Sequence, residues 1–430
     1  MKPTDPRPSR ALAAVALSSI ALSAIACDDD KGPPIVRPTS GAVRAVASTP
    51  VDQAPVAGQD LVLGTGWYAN VEVDAADRVH LAWVDADRGD VHYTTMAAGA
   101  DAPEPSVLVE HKGAVGAYLM LALTTTGAPV LAYGQQDERT LRLAHRPADL
   151  AALAASGAVV DATPPARDPE RMGADFVAED ITFGDQVGMA GALVVGRHGV
   201  PHLVYYSKGT RFRYARRAID APTFGPSAVG RFELVDVDLK GGSSYTMRTD
   251  LRVLDDGTVF TSYCNWTFKD ATQKVAWRRP GEATFTVMAW PETKGSDGWQ
   301  STLLDERPGV LALFSVAIGD QVLRRAEIEI AAPRVTPVRH TILARPSAAV
   351  VRRRADGTLV VLARVNGTST EDPSGVFLIE VPVDGPAKER VLLDEGAASD
   401  PWLDLALRAD GRPVAVWTSS DHRHMRMYAP

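Results

Sequence analysis

The chain has 430 residues, 45% hydrophobic and 23% charged, enough for one large globular domain or two medium ones. Its 45 Lys and Arg against 53 Asp and Glu leave a net charge of −8 and an isoelectric point near 5.6. Holding nucleic acid takes clustered cations, and the basic runs at Lys208–Arg217 and Arg352–Arg354 are short, so no nucleic-acid partner is expected.

In chain order, Lys2, Arg7 and Arg10 precede the small, apolar run ALAAVALSSIALSAIA, which is too short for a comfortable membrane span. A basic segment followed by such a run is the pattern of an export signal over residues 1–26. Its end, Ala24-Ile25-Ala26-Cys27, resembles the lipobox of bacterial lipoproteins. That resemblance implies lipid on Cys27 and anchorage in the bacterial cell envelope, at the outer membrane or the periplasmic side of the inner membrane. Residues 27–41 are polar and Pro-rich and read as a flexible tether. With Cys27 lipidated, Cys264 has no disulfide partner and reads as a small packed hydrophobe, so core burial alone must hold residues 42–430 together.

From there a unit of about fifty residues recurs. Its marker is an aromatic ending the second of several short strands: Trp83, Tyr133, Tyr205, Tyr263, Phe314 and Trp417, with a weaker copy ending at Arg364. Each copy has an apolar first strand, a Gly or Asp turn and a third strand such as VHYTTM, FRYARR or MRMYAP. Six copies also have a fourth strand: SVLVE, GAVVD, FELVDVD, TFTVMAW, TPVRHTIL and ERVLLD. The seventh stops at Pro430, and DLVLG (Asp60–Gly64) supplies the missing strand from the other end. These repeats predict an all-β fold, a seven-bladed β-propeller of four-stranded antiparallel blades closed by an N-terminal strand, with six blades as the alternative. Helix is expected only at Pro147–Ala155, between blades.

Units such as VDAADRVHLAW…VHYTT make residues 60–430 similar to bacterial propellers of the sialidase and BNR-repeat group. The group's Asp-box, Ser-x-Asp-x-Gly-x-x-Trp, is not present in clean form, and no Arg-Ile-Pro segment or arginine trio maps onto a sialidase site. The resemblance therefore implies architecture rather than sialidase activity.

Function sits on variable loops held by a rigid scaffold. The strand-one-to-two turns are short and stereotyped, whereas the opposite face, made of strand-two-to-three loops and blade-to-blade links, is long, aromatic and charged. Candidate ligand-binding residues on that face are Trp67, Tyr68, Asp85, Asp87, Asp137, Arg139, Trp266, Trp299, Trp402, Asp421 and His422. Exposed aromatics beside carboxylates and arginines suit sugar rings and their hydroxyls. An insertion over roughly 163–190 falls on the same face and can cover the channel mouth.

Asp85, Asp87 and Asp90 offer oxygens for Ca²⁺ but lack the Gly and distal Glu of an EF-hand, so a polar turn is preferred and no cofactor is assigned. His422 and His424 lack a third metal ligand. His80 and His202 occupy a repeat position that is apolar in other blades, and so read as packing residues. Glu179, Asp180 and Asp185 in the insertion are further carboxylates for glycosidic chemistry.

The resulting expectation is a monomeric, membrane-tethered, non-catalytic propeller that binds a glycan or an envelope protein on its loop face. The alternative is a carbohydrate-active enzyme, a glycoside hydrolase or polysaccharide lyase, drawing on His111, Tyr118, Tyr245, Arg248 and Asp250. Convergence of a His, a Tyr and an Arg, or of two carboxylates, over the channel mouth discriminates between the two.

Overall fold

The computed structural model describes residues 33–38, 42–48, 65–85, 88–111, 115–135, 138–149, 168–183, 189–196, 199–207, 211–217, 232–239, 249–265, 272–290, 297–317, 321–369, 372–382, 385–387, 389–396, 402–419 and 424–430. They belong to one compact unit, Pro33–Pro430.

Seven antiparallel sheets, one per repeat, are the blades of a β-propeller. The inner strands are Thr65–Val73, Val115–Leu123, Met189–Val195, Asp250–Val253, Asp297–Arg307, Pro346–Arg353 and Leu403–Leu407. Each touches the next around the ring, and the seventh touches the first.

Stacking sheets covers both faces of every blade, which is why the second strands (Val79–Asp85, Pro129–Gln135, Val310–Ala317, Leu359–Val365) are buried at every position. Seven apolar clusters, one per seam between neighbouring blades, form the core among the described residues. The repeat-marking aromatics fill it: Tyr133, Tyr205, Tyr263 and Trp417 are fully enclosed. Burial of such a side chain contributes about 1.5–3 kcal/mol. In blade 6 the marker is Arg364, equally buried, whose guanidinium donates to the Thr418 carbonyl of blade 7 at 3.4 Å. The weak copy is therefore a full blade, and the six-bladed alternative is excluded. Cys264 is buried as expected.

Three expectations are corrected. The N-terminal chain does complete blade 7, but the strand is Val43–Ser48, antiparallel to His424–Tyr428. Asp60–Gly64 lies outside the described residues. Both segments are short, largely apolar and precede blade 1, so pattern alone did not separate them. Second, the outer strand of blade 2 is Val177–Phe183, paired with Thr140–His145, and not Gly157–Asp161, which is outside the described residues. The described residues 168–183 of the insertion and the helical Pro147–Asp149 thus lie within blade 2 rather than between blades. Third, the described part of the insertion follows a seam and does not cross the channel. His111 N donates to the Arg171 carbonyl at 2.7 Å and Gly173 N to the Val109 carbonyl at 3.0 Å, along the outer strand of blade 1. Ile35–Val36, within the stretch read as tether, pairs in parallel with Arg390 and Val391 and adds a fifth strand to blade 6.

A chain beginning at Pro50 keeps Asp60–Gly64 but loses Val43–Ser48 and should unfold at least about 5 °C below a chain beginning at Ser40, both lacking Ile35–Val36. Scanning calorimetry of the two decides it; equal midpoints would mean that blade 7 is closed by some other segment.

Candidate functional site

The inner strands of blades 1 and 2 begin with the same irregularity. Pairing with the second strand jumps between Trp67 and Asn70, and again between Ala117 and Met120. Within each bulge a tyrosine at the equivalent position takes a left-handed backbone, Tyr68 at φ 52° and Tyr118 at φ 54°. That conformation costs a non-glycine residue about 1–2 kcal/mol. A bulge re-aims a side chain, and here both tyrosines turn towards Trp402 at the entry to blade 7. The Tyr68 ring centroid lies 4.2 Å from Trp402, edge-on, and 5.1 Å from Tyr118, with Tyr118 6.0 Å from Trp402.

Asn70 holds this arrangement. Its side-chain amide donates to the Tyr68 carbonyl at 2.5 Å and to the Leu119 carbonyl of blade 2 at 3.0 Å.

The aromatic group stands at the loop-face end of the channel, over a cavity of about 250 Å³ walled by Tyr118, Trp402, Asn70, Glu72, Asp250 and Arg252. Asp250 accepts from Leu251 N at 2.8 Å and from Leu303 N of blade 5 at 2.7 Å, while Arg252 Nε donates to the Leu303 carbonyl at 2.8 Å. A carboxylate has about four acceptor sites and a guanidinium five donors. Both groups are therefore oriented by the main chain while keeping capacity for a ligand. Arg352, deeper in the same wall, is 3.5 Å from Asp404.

The structure thus brings together Tyr68, Tyr118, Asp250 and Trp402 of the sequence candidates. The rest of the described ones lie elsewhere. Asp85 is only 8% exposed and caps its own loop through Arg88 N and Arg88 Nε. Asp90 pairs across the strands with Asp85, and burial together with the Asp85 charge raises its carboxyl above the ordinary range. His111 stands beside Asp90 at the end of the outer strand, not with Tyr118. Arg139 is exposed in the turn between the second and third strands of blade 2, at φ 56°. Trp67 and Trp299 fall in the inner strands of blades 1 and 5. Cys27, Asp87, Asp137, Asp185, Tyr245, Arg248, Trp266, Asp421 and His422 lie outside the described residues.

Of the insertion's carboxylates, the described Glu179 and Asp180 are each held by basic side chains. Glu179 is enclosed in the seam between blades 2 and 3, 3.2 Å from His145 Nε2 and 3.1 Å from Arg217 Nε, and Asp180 is 3.2 Å from Arg142. Among the described residues no group of three His, Cys, Asp or Glu is placed to hold a metal ion.

Sequence reasoning placed Asn70 on the loop face without giving it a role, and missed Asp404. They and Asp250 share one repeat position, thirteen residues before Trp83, Trp417 and Tyr263 respectively, and that spacing was the available signal. The packing reading of His80 and His202 holds: each is buried with its Nδ1 2.6 Å from a tyrosine hydroxyl, that of Tyr93 and of Tyr214.

The sequence matches no family model and no curated protein. Among solved structures the fold is similar to the Hadza microbial sialidase Hz136 (11% identity, TM-score 0.44), covering 85% of this chain and 65% of that one. The polysaccharide lyase Uly1 (10% identity, TM-score 0.44) matches over 76% of this chain and 77% of its own. The fucose-specific lectin from Aleuria aurantia (10% identity, TM-score 0.41) matches over 70% and 88%. The chain spans just under two thirds of that sialidase's length. At identities of 10–11% and TM-scores of 0.41–0.44, these likenesses carry no argument about what this chain does.

Burial holds His80, His92 and His202 below the ordinary imidazole range, His202 down to about 3 with the Arg216 charge adding to it. An unfolded His202 takes up a proton as pH falls through about 6.5, while the folded one stays neutral, so stability falls from there towards pH 3. Between pH 7 and pH 5, urea unfolding of the parent should lose about 2 kcal/mol more than that of His202→Gln. Equal losses would show that His202 is not held neutral.

Proposed function

We propose that this chain is an exported, lipid-anchored β-propeller that binds the end of a glycan at its channel mouth without cleaving it. The observation that carries the reading is the pair of strained tyrosines, Tyr68 and Tyr118, at equivalent positions and gathered against Trp402. Backbone strain that the surroundings hold in place tends to mark functional sites.

Aromatic faces at the mouth pack on the apolar face of a sugar ring. Charged groups of both signs below them, Asp250 and Glu72 with Arg252 and Arg352, suit its hydroxyls. A cavity of about 250 Å³ lies at the small end of ligand sites and takes a terminal sugar rather than the middle of a chain. The non-catalytic reading is supported by two placements: both Asp250 oxygens already accept main-chain N–H groups, and His111 stands away on the rim. The basic and apolar N-terminus ending at Cys27 supports lipid anchorage.

The compact unit from Pro33 is to be screened against immobilised neutral and acidic oligosaccharides, with new reducing ends and unsaturated-uronate absorbance followed in parallel. Binding without product is expected, and Tyr118→Ala and Trp402→Ala should each weaken it at least tenfold, about 1.4 kcal/mol. Product release would make the mouth an active site; binding indifferent to both variants would move it elsewhere. In a bacterial host, the full chain should incorporate labelled palmitate and Cys27→Ser should not; incorporation by the variant would overturn the anchor.

A further inference from the structure

Blades 1 and 3 carry the same buried histidine–tyrosine pair and differ in what the histidine meets on its other side. The registers of the two blades make Asp74 equivalent to Gly196, His80 to His202, Tyr93 to Tyr214 and Thr95 to Arg216. In blade 1 the chain of contacts is complete. Tyr93 Oη is 2.6 Å from His80 Nδ1, and His80 Nε2 is 3.2 Å from Asp74 Oδ2. The Asp74 carboxylate fills the seam to blade 2: a Cβ placed on Gly127 there would stand 2.9 Å from Oδ2. Asp74 also accepts from Ala76 N and Arg78 N, and although burial raises its carboxyl, these bonds and His80 hold it below the ordinary range.

In blade 3 the carboxylate is missing. Gly196 stands in its position, and Gly257 of blade 4 stands where Gly127 does in blade 2. Between them is a cavity of about 340 Å³, walled by Gly196, His202, Arg216, Gly257, Arg278 and Pro280.

His202 keeps the bond from Tyr214 at 2.6 Å, so in the tautomer of blade 1 its Nε2 carries a hydrogen that has no acceptor among the described residues. The wall is also more positive than in blade 1. Arg216 replaces Thr95, its Nε is buried without an acceptor among the described residues, and one carboxylate, Glu233, serves both Arg216 at 2.7 Å and Arg278 at 2.5 Å. At the rim stand the exposed Asp255 and Asp256.

We propose that this seam, on the face opposite the channel mouth, binds a small hydroxylated carboxylate whose anionic group takes the place that Asp74 holds in blade 1. One ligand oxygen accepts from His202 Nε2 and from Arg216, and the hydroxyls meet Asp255 and Asp256. The site is independent of the glycan reading of the mouth.

The test is calorimetric titration with glucuronate, with glucose as the neutral control. It is run on the Trp402→Ala chain so that the channel mouth does not contribute heat. Glucuronate should bind with a dissociation constant of about 1 mM or tighter, and glucose at least tenfold more weakly. Gly196→Asp, which supplies the carboxylate from within the chain, should abolish binding. The new Cβ would lie 3.0 Å from His202 Nε2, so the ring must yield slightly. Should that variant fail to fold, Arg216→Thr restores the residue type of blade 1 without touching the turn and should weaken binding at least tenfold. No heat from glucuronate, equal affinity for glucose, or binding indifferent to the folded variants overturns the proposal.

Discussion

The structure depends on how one inner strand is held to the next. Inner strands of neighbouring blades lie side by side, yet the strand ladders run only within each blade. Side chains therefore make the polar links across several seams. Asp404 accepts from Val71 N at 3.1 Å and so joins blade 7 to blade 1, where the ring closes. Asp250 does the same for blades 4 and 5, Gln300 accepts from Ala349 N for blades 5 and 6, and Asn70 donates to the Leu119 carbonyl for blades 1 and 2. Buried hydrogen bonds to a carboxylate contribute about 1.5–3 kcal/mol. They also fix the register of one blade against the next, which apolar seams alone specify only loosely.

These links and the candidate site are the same atoms. Asn70 both crosses the seam and takes the Tyr68 carbonyl, so the bond that sets blade 1 against blade 2 also holds the left-handed turn that exposes Tyr68. Asp250 crosses to blade 5 and walls the cavity under Trp402. A ligand at the mouth would meet groups whose positions are set by the closure of the whole ring. This pre-organisation keeps side-chain ordering costs on binding small.

The architecture was legible because period-two alternation and a buried aromatic recur in nearly every blade. Blade 6 was the least legible, since Arg364 reaches the same buried position by bonding outward to blade 7, a solution that hydrophobic pattern does not register. The closing strand was misplaced for a related reason: Val43–Ser48 and Asp60–Gly64 are both short and apolar, and only pairing with His424–Tyr428 distinguishes them. At the site, Tyr68, Tyr118, Asp250 and Trp402 were legible as types on the right face. That two tyrosines would be re-aimed by bulges was not, because left-handed backbone at a non-glycine residue leaves no mark in composition. Asp85 read as a rim ligand because a carboxylate in a turn looks the same from sequence whether it faces water or its own backbone.

The two seams of blade 3 lack the inner link, and their polar contacts are arranged differently. At the position of Asn70, Asp250 and Asp404, blades 2 and 3 carry Met120 and Ala192, which cannot bond across. Polar contact there moves outward. Glu179 with Arg217 joins blades 2 and 3, while Asp238 with Lys274, Glu233 with Arg278, and Tyr206 with the Cys264 carbonyl join blades 3 and 4. Those bonds lie on second, third and outer strands, so the inner part of the seam between blades 3 and 4 is left to packing. With Gly196 in place of a carboxylate, that packing is incomplete, and the cavity beside His202 is the consequence. Repetition supplies the scaffold, and the chemistry gathers where a blade departs from it: a left-handed tyrosine in the bulge at Tyr68 and Tyr118, a removed carboxylate at Gly196.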